Sequence, residues 1–321
     1  MQQPFLCKIL SFRHTRCRHA AYIHCDTAYS SMDVFRQSQG GDAMENNFNT
    51  PKESAQIKIS EAQSKAVMPF LKLIILALLG GAFIALGAAC SSTAAFAVSN
   101  VGLARLISGC VFPVGLILIV VCGGELFTGN CLMSIGLLNK KIKVKGLVRN
   151  LVIVWVFNFS GAALIALLVF LSGNLNYSDG ALAAYTIKVA MGKVNLGFGT
   201  AFCSGILCNM LVCLAVYGAG AAKDIGGKIL AVFFPVCAFV TAGFEHCVAN
   251  MYYIPAGIFA AMNSEYAAKA MELYGYTSAD LAALNFAHMF SNIIPVTLGN
   301  MVGGGICIGA AYYLAFIRER K

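Results

Sequence analysis

Six apolar runs, each near the ~20 residues that a bilayer-crossing helix needs, leave this chain little choice but a bundle of membrane-spanning helices. They fall at about 69–91, 104–126, 148–171, 196–217, 229–249 and 290–316. In hydrocarbon each backbone N–H and C=O must find its partner within the protein, so these runs are expected to be α-helical. Only 12% of the 321 residues are charged and the mean hydropathy is +0.74, which excludes an ordinary soluble domain. The net charge of +9 does not call for a nucleic-acid partner, because the basic residues gather in the N-terminal region and in short loops.

Those basic residues set an orientation. Lys52, Lys58, Lys65 and Lys72 lie before or at the start of the first span, Lys140, Lys141, Lys143, Lys145 and Arg149 lie between the second and third, and Arg318, Arg320 and Lys321 follow the last. The positive-inside rule places all three groups, and both termini, in the cytoplasm of a cell whose plasma or inner membrane holds the chain. Glu265, Glu272 and Asp280 outnumber Lys269 between spans five and six, as an external loop should. Lys188 and Lys193, in an external linker by the same count, break the pattern.

Four segments are expected: a tail at 1–43, an amphipathic cytoplasmic lead-in at 44–68, the membrane domain at 69–317 and a short cytoplasmic end at 318–321. The change of character at Met44 marks it as the expected natural start, with 1–43 a disordered tail or upstream translation. Cys7, Cys17, Cys25, His14, His19 and His24 in that tail fit no zinc spacing. All thirteen cysteines occur singly, without a C-x-x-C pair, and neither a metal nor another cofactor is expected.

Two polar interruptions carry the functional signal. Gly123 to Asn130 reads GGELFTGN and Gly243 to Asn250 reads GFEHCVAN, so Glu125 and Glu245, and Asn130 and Asn250, recur at the same offsets in spans two and five. Each interrupted span continues into a shorter apolar piece, 127–138 and 251–261, as though broken in two. A lone Glu245–His246 pair at a helix break would need only to satisfy itself. A matched copy in the other half instead points to a midplane site between inverted repeats. Spans three and six agree, with Asn150 and Asn158 before Gly161 and Asn292 and Asn300 before Gly303. Three spans per half make the two copies face opposite ways.

GGELFTGN and GFEHCVANMYYIP, together with CNMLVCLAVY at 208–217 and NIIPVTLGNMVGGG at 292–305, resemble the formate/nitrite transporter family, as does Thr50-Pro51-Lys52-Glu53 in the lead-in. The resemblance runs from about residue 50 to the C-terminus. It implies a homopentamer with one pore per protomer, six spans in an aquaporin-like inverted repeat with helices 2 and 5 broken, and passage of formate, nitrite or hydrosulfide. It also implies that His246 is the central pore histidine, that Thr128 and Asn209 lie near it, and that Lys193 lines the outer vestibule. Phe112, Leu116 and Phe239 would form an outer apolar constriction, and Leu126, Phe127 and Val212 an inner one. The lysine place accounts for the external charge that topology left unexplained.

The chemistry is consistent with such a pore. An anion stripped of water pays on the order of tens of kcal/mol in an apolar medium, so its charge must be matched or removed. Lys193 can concentrate anions at a mouth, and broken helices turn their positive N-terminal ends toward the midplane. Between apolar rings a weak acid can cross in its neutral form, with His246 the one side chain whose unperturbed pKa, ~6.5, lies near physiological pH. Two accounts stay open: His246 gives its own proton to the anion, or stays neutral and donates a hydrogen bond while the proton arrives through water. Glu125 and Glu245 are expected to anchor the broken helices with Asn130 and Asn250. The expected function is therefore passive or proton-linked passage of a small monovalent anion, formate first, with nitrite or hydrosulfide as the alternative. A neutral-solute channel is the less favoured reading, because neither break carries Asn-Pro-Ala. A membrane-embedded redox enzyme would need paired histidines for haem or a cysteine cluster for iron and sulfur, and His246 and His288 alone lie in the membrane domain.

Overall fold

The computed structural model describes residues 46–319, whose regular elements are all helices apart from one isolated bridge between Phe48 and Ala222. The expectations for the tail at 1–43 lie outside the described residues.

The lead-in forms helix α1 (Pro51–Ala66), started by a capping box in which Thr50 and Glu53 satisfy each other's backbone N–H groups. Asn49 ties its start to the carbonyls of Gly220 and Ala221, and the Tyr217 hydroxyl donates to the Pro51 carbonyl. Among the described residues, six helices are long and apolar enough to cross a membrane: α2 (Phe70–Ala95), α3 (Val101–Gly123), α5 (Val144–Leu171), α7 (Phe198–Ala221), α8 (Ile225–Ala242) and α12 (Phe286–Ile317). Two shorter apolar helices, α4 (Phe127–Leu138) and α9 (Cys247–Ala261), resume after α3 and α8.

The expected second and fifth spans ran through their polar motifs, whereas the helices stop before them, at Gly123 and Ala242. Gly123 and Gly243 both have positive φ, +94° and +77°, which ends a helix at little cost only where no Cβ is present. The stretch read as a linker after span three is instead a helix, α6 (Tyr177–Val194), whose first turn is distorted by left-handed Ser178, Asp179 and Gly180. Between α9 and α12 lie α10 (Ser264–Tyr274) and α11 (Ser278–Ala283), capped by Asn263 and Thr277.

The described chain is an inverted repeat of α2–α5 and α7–α12. Helix α2 packs along α5 just as α7 packs along α12. Paired glycines make this possible: a Cβ on Gly161 would overlap the Leu78 carbonyl, and one on its counterpart Gly303 would overlap that of Ile206. The halves interlock, because α9 of the second packs on α5 of the first while α4 of the first packs on α12 of the second. The Trp155 indole donates to Thr297 Oγ1 at 3.1 Å. These two residues lie five positions after Asn150 and Asn292, so their bond joins equivalent points of the halves.

Candidate functional site

Each helix break is held by a buried polar cluster, and the two clusters are built alike. In the first, the Glu125 carboxylate accepts from Lys65 Nζ at 2.7 Å and from Asn130 Nδ2 at 2.6 Å. Asn130 also donates to Asn150 Oδ1 at 2.8 Å. In the second, Glu245 accepts from Lys193 Nζ at 3.0 Å and from Asn250 Nδ2 at 2.6 Å, and Asn250 donates to Asn292 Oδ1 at 2.6 Å.

A second pair of asparagines receives the helices that restart. Asn158 Oδ1 accepts the Phe127 N–H at 2.9 Å, and its amide donates to the carbonyls of Ala77 and Glu125. Asn300 Oδ1 accepts the Cys247 N–H at 2.9 Å, and its amide donates to the carbonyls of Gly205 and Glu245. Buried charges and amides persist only when their bonding capacity is met, and these clusters meet it with few exceptions. Among them, Asn250 Oδ1 has no partner among the described residues.

Lys65 is the member that the sequence reading missed, taking it for a topology signal. A trace of it was present: Lys65 precedes Ala77 by the same twelve residues that separate Lys193 from Gly205. Both lysines sit near the ends of helices, α1 and α6, and only the fold brings them to the breaks.

The halves diverge at the N-cap of each short helix. His246 caps α9, its Nδ1 accepting the Ala249 N–H at 3.0 Å, while Nε2 lies 2.9 Å from Thr128 Oγ1. With Nδ1 occupied as an acceptor, the neutral ring carries its hydrogen on Nε2 and donates to Thr128. A proton placed on Nδ1 would displace the Ala249 bond. Leu126 occupies the matching position at α4 and offers no cap. Asn209 joins these elements, donating to the carbonyls of Thr128 at 3.2 Å and Asn300 at 2.6 Å. Its own Oδ1 is buried without a partner among the described residues.

Two cavities approach this point from opposite ends and share no lining residue. One, of about 730 Å³, is lined by Lys193, Glu245, His246, Phe112 and Phe239. The other, of about 390 Å³, is lined by Lys58, Lys65, Asn130, Leu116 and Leu126. Phe112 meets Phe239 edge-on at 5.7 Å between ring centres, and Phe239 lies nearly parallel to the His246 ring at 5.8 Å. Leu116, grouped with Phe112 and Phe239 in the expected outer constriction, stands one helical turn further along α3 and lines the Lys65-side cavity with Leu126. Phe127 and Val212 are buried and line neither cavity.

Two vestibules that share no lining residue, with apolar side chains in their walls and a His246–Thr128 pair buried beside the larger one, define a polytopic pore-type membrane protein of the inverted-repeat kind. The chain belongs to the formate/nitrite transporter family, whose model matches residues 52–314. It is 39% identical over 295 residues to a probable formate transporter of Methanothermobacter thermautotrophicus, covering 86% of this chain and all of that protein. It is 34% identical to the formate channel FocA of Escherichia coli K12, covering 86% of this chain and 98% of the relative. A solved pentameric formate channel with formate bound matches at a TM-score of 0.68 and 32% identity, over 78% of this chain and 98% of that one. This is a family of transporters and channels, not of enzymes.

Proposed function

We propose that the protein conducts formate between the two vestibules, past His246 and Thr128, with a proton accompanying the anion across the apolar stretch. The observation that carries this is the 2.9 Å pairing of His246 Nε2 with Thr128 Oγ1, set between cavities walled by Phe112 and Phe239 on one side and Leu116 and Leu126 on the other. A neutral Nε2–H donor and a hydroxyl can bond a carboxylate oxygen without bringing a fixed charge into the barrier. That favours His246 as a hydrogen-bond donor, with the proton delivered through water. Formate is favoured over nitrite and hydrosulfide by the named relatives, which are formate channels or transporters.

In this reading Lys193, held by Glu245, faces the external vestibule, and Lys65, held by Glu125, faces the cytoplasm with both termini. Asn130, Asn250 and the two glutamates keep the breaks rigid, and Asn209 holds the Thr128 backbone carbonyl in place. The protomers sit in the cell membrane as a pentamer, in line with the solved relative. Residues 44–68 form the cytoplasmic lead-in, 69–317 the channel and 318–321 its cytoplasmic end, with 1–43 lying outside the functional unit.

The test is uptake of formate, nitrite and hydrosulfide into liposomes between pH 5 and 8, for the wild type and His246→Ala. Formate should enter fastest when the outside is acidic, and the variant should lose that response. Nitrite or hydrosulfide outrunning formate would reassign the substrate, and no uptake above empty liposomes would overturn the reading.

A further inference from the structure

Arg105 distinguishes the two ends of the pore. It lines the larger, Lys193-side cavity, and its guanidinium lies against Gly243 so closely that a Cβ there would overlap Nη1. Nη1 reaches the Thr241 carbonyl at 3.5 Å, a long and weak bond, and no carboxylate pairs with Arg105 among the described residues. Most of its five N–H donors are therefore uncommitted.

The other cations of this cavity are engaged. Lys193 is bound to Glu245 and stands 5.2 Å from the Tyr253 ring centre, and Lys188 stands 4.7 Å from that of Tyr274. The repeat supplies a control. Arg105 precedes Glu125 by twenty residues, and the residue at the same distance before Glu245 is Ile225. Gly123, the counterpart of Gly243, has nothing within 4 Å of the place a Cβ would take. A guanidinium at a helix break is thus an addition to one mouth and no requirement of the repeat.

A guanidinium matches a planar anion with two oxygens through paired parallel N–H···O bonds, whereas it offers a single-centre anion only its charge. Resting on the anion-conducting reading above, we infer that Arg105 is a capture and selectivity site at the Lys193-side mouth. It holds a carboxylate or nitrite beside the helix break and favours these two-oxygen anions over hydrosulfide.

The experiment compares Arg105→Gln and Arg105→Lys with the wild type in liposomes, measuring initial rates against formate and hydrosulfide concentration, with particle size checked by gel filtration. Arg105→Gln should raise KM for formate about three- to fivefold while leaving the saturating rate within about twofold, the scale of an exposed charge interaction. Arg105→Lys, which keeps the charge and loses the fork, should match the wild type for hydrosulfide entry but leave formate KM raised at least about twofold. An unchanged formate KM in Arg105→Gln overturns the inference. So does recovery of both anions alike in Arg105→Lys, which would leave Arg105 a point charge, and that variant carries the comparison if Arg105→Gln does not assemble. A wild type that moves neither anion would instead sink the transport reading itself.

Discussion

The two helix breaks are the same device with different contents. Glu125, Asn130, Asn150, Asn158 and Lys65 hold one, and Glu245, Asn250, Asn292, Asn300 and Lys193 hold the other, through the same core of bonds, except that Lys65 also donates to Asn130 Oδ1 while Asn250 Oδ1 has no partner among the described residues. What differs is what the frame presents. At the N-cap of the short helix one break carries Leu126 and the other His246, and beside the preceding glycine one is open while the other holds Arg105. The frame is duplicated because an interrupted helix in a bilayer exposes backbone groups that must be satisfied at either end. Chemistry needs only one polar group at the midplane, so the second N-cap is free to be apolar.

That comparison can be broken most severely at the buried glutamates. Glu245→Ala leaves Lys193, Asn250 and Asn292 without their carboxylate, and loss of one partner of a buried ion pair costs about 3–5 kcal/mol. Glu125→Ala should cost a similar amount, read as equal losses of thermal stability in detergent. If one variant is stable and the other is not, the frames are not equivalent. Lys193→Met added to Glu245→Ala, and Lys65→Met added to Glu125→Ala, should each recover part of the loss, since no charge is then left unpaired.

His246→Leu copies the contents of the first break into the second. Thr128 Oγ1 and the Ala249 N–H then lose their partner, about 1–3 kcal/mol for a buried polar group. Formate flux should fall at least tenfold while the protein still assembles, as measured by liposome uptake and gel filtration. Retained flux would show that the difference between the N-caps is not what makes the pore.

The glycine pair tests the frame more finely. Gly161→Ala and Gly303→Ala each drive a methyl into the carbonyl of the neighbouring helix, and overpacking of this kind costs about 1–3 kcal/mol. Equal drops in melting temperature would support equivalence of the α2–α5 and α7–α12 contacts.

The smallest effect concerns α1, which carries Lys65 to the first break. Thr50 holds the Glu53 carboxyl below its usual range through backbone and side-chain hydrogen bonds. An acid whose folded pKa is lowered adds stability above its ordinary pKa of about 4.3, and that stability is lost as pH falls through the lowered value. Hydrogen exchange in the first turn of α1, corrected for intrinsic rates, should therefore rise below about pH 4. Glu53→Ala should show the faster exchange at all pH values. The α6 side, which starts without a side-chain cap, should show no such step.

Much of the frame was legible along the chain. Glu125 and Glu245 recur with Asn130 and Asn250 at fixed offsets inside apolar runs, and the paired asparagines before Gly161 and Gly303 repeat likewise. Hydrophobic length alone counted the spans. It also overran both breaks, because Phe244 and Leu126 are as apolar as any helical residue and only the glycine conformations end the helices. Helix α6 was hidden for a different reason: it is too polar to register as a span, and its neighbours set its place.

Residue order alone establishes a six-span membrane protein with two matched polar breaks, because burying polar groups in hydrocarbon is costly enough to leave its mark there. Tertiary structure alone decided that Lys65 and Lys193 close those breaks, that His246 bonds Thr128 across the two halves, and that Leu116 belongs to the Lys65-side cavity. Each of those contacts joins residues from separate helices or depends on the turn at which a side chain emerges. Spacing along one strand of sequence does not encode a distance across the bundle, so these had to be read from the folded protein.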